Sequence, residues 1–108
     1  MRGAARALIL AGFLAVSAAG GAAWAADAAR GLALATQWCA QCHGLRPNEA
    51  STIPAATSFS EIAARAATTE MALRVFLRTS HPTMPNIILE RDDLDDIVGY
   101  ILSLRPAR

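Results

Sequence analysis

The chain holds two cysteines, Cys39 and Cys42, three residues apart, and His43 follows the second at once. That spacing restricts how a small fold can be held together. A disulfide stabilises by closing a long loop in the unfolded chain, and a bridge between residues three apart closes almost none. A short domain buries a small core and usually needs a disulfide, a metal or a cofactor to supplement it. Since these cysteines make a poor cross-link with each other, they are expected to act through something they bind.

The domain is shorter than the full 108 residues. Arg2 and Arg6 precede an uninterrupted apolar stretch from Ala7 to Ala19, and Ala23-Trp24-Ala25 supplies a small-x-small cleavage pattern. Residues 1–25 therefore read as a signal peptide cut after Ala25. Residues 26–108 remain as a single domain of 83 residues, that is 108 − 25. The alternative is an uncleaved anchor, because Ala7 to Ala25 is nearly long enough to span a bilayer. Gly12, Gly20, Gly21 and the cleavage pattern oppose it. The expectation is a periplasmic protein with no stable membrane insertion after cleavage.

Without the leader, eight arginines face nine acids, a formal charge of −1, and the chain has no lysine at all. Such a balance offers no basic footprint for nucleic acid and no polybasic patch for a membrane surface. An exported monomer is the default.

The mature segment reads as all-α. Asp27 to about Trp38 is alanine-rich and runs as a helix into Cys39. Gly44 to Pro54 is turn chemistry with two prolines. A short helix is expected from about Phe59 to Ala67, capped by Ser58 or Ser60. Thr69 then opens a segment in which Ala72, Leu73, Phe76 and Leu77 recur at helical spacing. Pro82 and Pro85 exclude regular structure around Met84. The clearest helix is the last, with Leu94, Ile97, Val98 and Ile101 at i, i+3, i+4 and i+7. Glu90, Asp92, Asp93, Asp95 and Asp96 crowd its start and suit the helix dipole, which reads as a solvated helix end rather than a metal site. No run alternates with period two for long enough to predict a strand.

Cys39-Ala40-Gln41-Cys42-His43 matches C-x-x-C-H, the attachment signature of a c-type haem. Two thiols about one helical turn apart can each add to a haem vinyl group, and the following histidine is carried beneath the iron as an axial ligand. A redox dithiol is the first alternative, but that motif follows a strand in a βαβ setting, and here a helix precedes it. Structural zinc on Cys39, Cys42, His43 and His81 is the second, and the spacing does not match the usual zinc frameworks. A thioether sulfur is a suitable partner ligand to histidine. After the leader only Met71 and Met84 offer one. Met71 near a helix start reads as core packing. Met84, between two prolines, reads as a ligand on a stiffened loop, with a hydrophobic plug as its alternative role and His81 as a rival ligand.

These residues resemble the class I cytochromes c in their small bacterial monohaem form. The likeness rests on Cys39 to Gly44, on Thr83-Met84-Pro85-Asn86, and on the closing helix from Ile97 to Leu104. It implies about four short helices wrapped around one covalently attached haem c, with His43 and Met84 as the axial iron ligands. It also implies that the first and last helices cross at Gly31 against Tyr100, with Ala35 where the family often has an aromatic. A proline carbonyl is expected to hold the His43 ring, with Pro54 the candidate and Pro47 the less favoured one. The family's mitochondrial-type members carry lysines around the haem edge, and this chain has none.

The function implied is outer-sphere transfer of single electrons between periplasmic or membrane redox partners, without enzymatic turnover. Two other readings compete with it. One is a five-coordinate haem sensor or peroxidase-like protein, which requires Met84 to be off the iron. The other is a dedicated cytochrome subunit of a periplasmic dehydrogenase or oxidase.

Overall fold

A computed structural model describes residues 25–107. The signal-peptide reading of residues 1–25 falls outside them except for Ala25 itself. Four helices follow one another: α1 (Ala28–Trp38), α2 (Phe59–Ala64), α3 (Glu70–Leu77) and α4 (Arg91–Ser103). No strand occurs among the described residues; an isolated antiparallel bridge pairs His81 with Met84.

Each of the first three helices starts at a side chain that satisfies a free backbone N–H. Asp27 accepts from the Arg30 N–H and begins α1. Ser58 and Glu61 form a reciprocal capping box at α2, and Thr69 accepts from the Ala72 N–H at α3. The second helix stops at Ala64, three residues short of the expected end. Arg65 turns to extended geometry, and the Thr68 hydroxyl donates to the Ile62 carbonyl at 2.6 Å, giving that helix end an acceptor's partner outside the helix.

All three pack on α4. Leu94, Ile97, Val98 and Ile101 form its inner stripe and are the most deeply buried large side chains. Removing each from water is worth about 1.5–3 kcal/mol. The closest approach is between α1 and α4. A β-carbon at Gly31 would sit 2.0 Å from the Asp96 carbonyl oxygen and 2.9 Å from the Tyr100 β-carbon, so only glycine permits this crossing. Ala35, fully buried in the same core, is small where the family often places a ring.

The acidic start of α4 is less solvated than its composition suggests. Asp96 is buried, accepting the Asp27 N–H at 2.7 Å and the Arg30 guanidinium at 2.5 Å. Arg30 also pairs with Asp93, and Arg74 bridges Glu70 and Asp95. The helix start faces the first turn of α1 and one side of α3, and both present arginine. On α3, only Leu73 is buried; Phe76, which shares its helical spacing, is 46% exposed. The apolar face of α3 is wider than its contact with α4.

Candidate functional site

The C-x-x-C-H segment is a tight turn leaving the end of α1. The Cys39 N–H donates to Ala35 O at 2.7 Å, and both the Cys42 and His43 N–H groups donate to Cys39 O, at 3.2 and 3.0 Å. The two thiols are free and half-buried. Burial, with a smaller contribution from Cys42, pushes the Cys39 thiol up to about 11. A redox-active dithiol has its attacking thiol moved the other way.

The His43 Nδ1 lies 2.7 Å from the carbonyl oxygen of Thr57. A carbonyl only accepts, so Nδ1 carries the proton and Nε2 presents its lone pair. The expected type of contact is present, but it is not made by Pro54. An Ala56 N–H to Ile53 O bond closes a turn around Pro54, which is exposed, and the chain reaches His43 only at the last extended residue before the α2 cap. Pro47 is also exposed, in a turn where Asn48 takes the left-handed conformation. Ser58-Phe59-Ser60-Glu61 carries the capping-box pattern, a signal that would have selected Ser58 over Ser60 and marked Thr57 as the residue ahead of the helix.

The residues after His43 are held as firmly. A β-carbon on Gly44 would lie 2.1 Å from Glu49 O, so the loop can fold back only over glycine. Glu49 accepts from the Leu45 and Arg46 N–H groups at 2.7 and 2.8 Å, and these bonds hold its carboxyl below the usual range. Gly44 O accepts from the Phe59 N–H at 2.8 Å, and Leu45 O accepts from the buried Tyr100 hydroxyl at 2.6 Å.

Met84 lies half-buried in the loop between α3 and α4, its N–H directed to His81 O at 3.4 Å. His81 stacks on Phe76 with ring centroids 3.7 Å apart. Met71 is not a core residue: it is 70% exposed on the outer face of α3, where it lines a shallow groove with Val75, Phe76 and His81.

The donor set fits a covalently held haem: two free thiols a turn apart, then an imidazole already fixed in the Nε2-ligating tautomer. The apolar surface fits as well. Trp38, Ile53, Met71, Val75, Phe76 and Ile88 are all exposed, and Met71, Val75 and Phe76 line one groove. No three of His, Cys, Asp and Glu among the described residues converge to hold a free metal ion, which disfavours the zinc reading on donor geometry.

Comparison with known proteins agrees with this chemistry. The sequence model of the family described as cytochrome C oxidase, cbb3-type, subunit III, matches residues 26–101. Cytochrome c-552 of Bradyrhizobium diazoefficiens is 41% identical over 93 residues, covering 86% of this chain and 89% of that protein. No solved structure matches the chain.

Proposed function

The chain belongs to the class I c-type cytochromes, a monohaem electron-transfer protein with covalently bound haem c, and from that premise we propose how and where it works. In this proposal Cys39 and Cys42 would form the thioethers, and His43 and Met84 would ligate the iron. The observation that carries it is the His43 tautomer, set by Thr57 O at 2.7 Å in the residue that directly follows the second thiol.

Haem iron, when bound, supplies the one-electron ferrous–ferric couple. The chain's own residues do the rest. The thiols fix the macrocycle to the polypeptide. Thr57 O holds the His43 ring and raises its basicity. Met84, on a loop whose φ angles are fixed by Pro82 and Pro85, offers a soft sulfur with little mobility to lose on binding. With both residues ligating the iron, the bound haem would serve as an electron carrier.

The carrier is proposed to be exported to the periplasm, with its leader cut after Ala25. Ala26 packs on Gly99 and the Asp27 N–H bonds Asp96, so the residues directly after the proposed cut take part in the packing of the domain. No helix among the described residues is long and apolar enough to cross a membrane. Its partners are proposed to be periplasmic or membrane redox proteins. The matching family's description names an oxidase subunit, whereas cytochrome c-552 is a chain of nearly this length, and we favour a free shuttle.

The test is co-expression with a haem-maturation system, followed by mass determination and absorption spectra. The expected product is residues 26–108 plus one haem that survives denaturation, with the weak ferric charge-transfer band of sulfur ligation and slow carbon monoxide binding when reduced. Covalent haem without that band would remove Met84 as the ligand and favour the five-coordinate reading. Loss of haem on denaturation would remove Cys39 and Cys42 as anchors.

A further inference from the structure

A single hydrogen bond orients a ring incompletely. With Nδ1 held by Thr57 O, the His43 imidazole can still tilt about that contact. The second constraint is aromatic. The Phe59 ring lies with its centroid 5.7 Å from that of His43 and its plane inclined by 48°, within the range of a tilted aromatic pair.

Phe59 is itself immobilised. It is 4% exposed, its N–H is bonded to Gly44 O at 2.8 Å, and it opens α2 directly behind the Ser58–Glu61 capping box. On its other side the Tyr100 ring packs at 6.4 Å and 50°, and the Tyr100 hydroxyl is tied to Leu45 O. The two residues after His43 are thus anchored by the same two aromatic residues that contact its ring directly or in series.

We propose that Phe59 is a positioning residue for electron transfer, setting the plane in which the His43 imidazole meets the iron. The proposal rests on the reading of His43 as an axial ligand. The π-orbitals of an imidazole interact with the iron d-orbitals in a direction set by the ring plane. A ring held in one plane therefore contributes to the potential of the couple and sets the distribution of unpaired spin over the macrocycle. Phe59→Leu keeps apolar bulk and removes the flat face. Val98→Ala, on the side of α4 bordered by Glu70 and Arg74, is a control for core loosening away from His43.

The experiment uses haem-loaded protein. Ferrous wild type should show nuclear Overhauser contacts between the Phe59 ring and His43 ring protons. In the ferric state Phe59→Leu should redistribute the haem-methyl shifts and move the midpoint potential, and Val98→Ala should leave the methyl pattern in place. Phe59→Met substitutes if the leucine variant fails to accumulate haem. Absent Phe59–His43 contacts, an unchanged methyl pattern in the ring-deleted variant, or an equal change in Val98→Ala would each overturn the proposal. Wild type without the spectrum of an imidazole-ligated low-spin haem would instead overturn the ligand reading beneath it.

Discussion

Met84 and His81 lie three residues apart on one loop, and their contacts differ. The His81 ring is stacked on Phe76, whereas Met84 is half-buried with its backbone tied back to His81. If sulfur is on the iron, Met84→Ala should abolish the sulfur charge-transfer band and speed carbon monoxide binding at least tenfold, roughly 1.4 kcal/mol in barrier. Met84→His should lower the midpoint potential markedly, since a second imidazole stabilises the ferric state that thioether disfavours. Potentiometry and stopped-flow spectroscopy read both, and an unchanged band in Met84→Ala would transfer the role to another residue. At this scale the sequence speaks where chemistry demands a fixed spacing, as in Cys39, Cys42 and His43, which share one turn in the structure. It was not legible for the carbonyl at His43. Any residue type can present a carbonyl, so Thr57 carries no side-chain signature, and Pro54 was named by resemblance alone.

Between elements, the decisive contact is the α1–α4 crossing, and two glycines of similar appearance predict different outcomes there. A methyl on Gly31 meets the Asp96 backbone at 2.0 Å, and backbone inside a helix cannot move aside. A methyl on Gly99 meets the Ala26 β-carbon at 2.6 Å, so the stretch ahead of α1, rather than helix backbone, has to shift. Gly31→Ala should therefore cost about 1–3 kcal/mol or more in denaturant unfolding, and Gly99→Ala less than about 1 kcal/mol. Next to this crossing, Arg30 and the Asp27 N–H hold the Asp96 carboxyl below its usual range. In the unfolded chain that carboxyl titrates near about 3.9. Above that pH both states are ionised and the stabilisation is complete. As the pH falls further, the unfolded chain takes up the proton first, and the contribution is lost by the time the native carboxyl also titrates. Asp96→Asn should lower stability at neutral pH and flatten the acid limb below about pH 4, followed by thermal unfolding across a pH series. The helices that create this crossing were legible because their apolar spacing and caps are local: α1, α3 and α4 fall where periodicity put them. The pairing of Asp93, Asp95 and Asp96 was not, since it depends on which arginines two other helices bring near. Exposure of Phe76 and Met71 escaped for the same reason, because helical spacing identifies an apolar stripe but not how much of it a neighbour covers.

Over the whole molecule, charge decides how partners meet. Residues 26–108 carry eight arginines and nine acids, and much of that charge is spent internally: Arg30 on Asp93 and Asp96, Arg74 on Glu70 and Asp95, Glu49 on its own loop. Paired charges a few ångströms apart cancel beyond a Debye length, about 8–10 Å at moderate salt. The chain has no lysine to form a one-signed ring of that residue, and Arg30 and Arg74 are already paired with acids. Encounter should then be governed by shape and apolar contact, with little electrostatic guidance. Electron self-exchange between ferric and ferrous copies isolates this, since both partners are the protein itself. Measured by line broadening of haem-methyl resonances, the rate should rise as salt screens a weak mutual repulsion. The rise should be less than about tenfold between roughly 0.02 and 0.2 M salt, at the bottom of the 10–10³-fold range of electrostatically controlled pairs. A steeper rise would mean that the exposed edge carries a concentrated negative field, which the haem propionates would then have to supply. A fall with salt would mean that arginine on one copy meets acid on the other, and docking would be electrostatic after all.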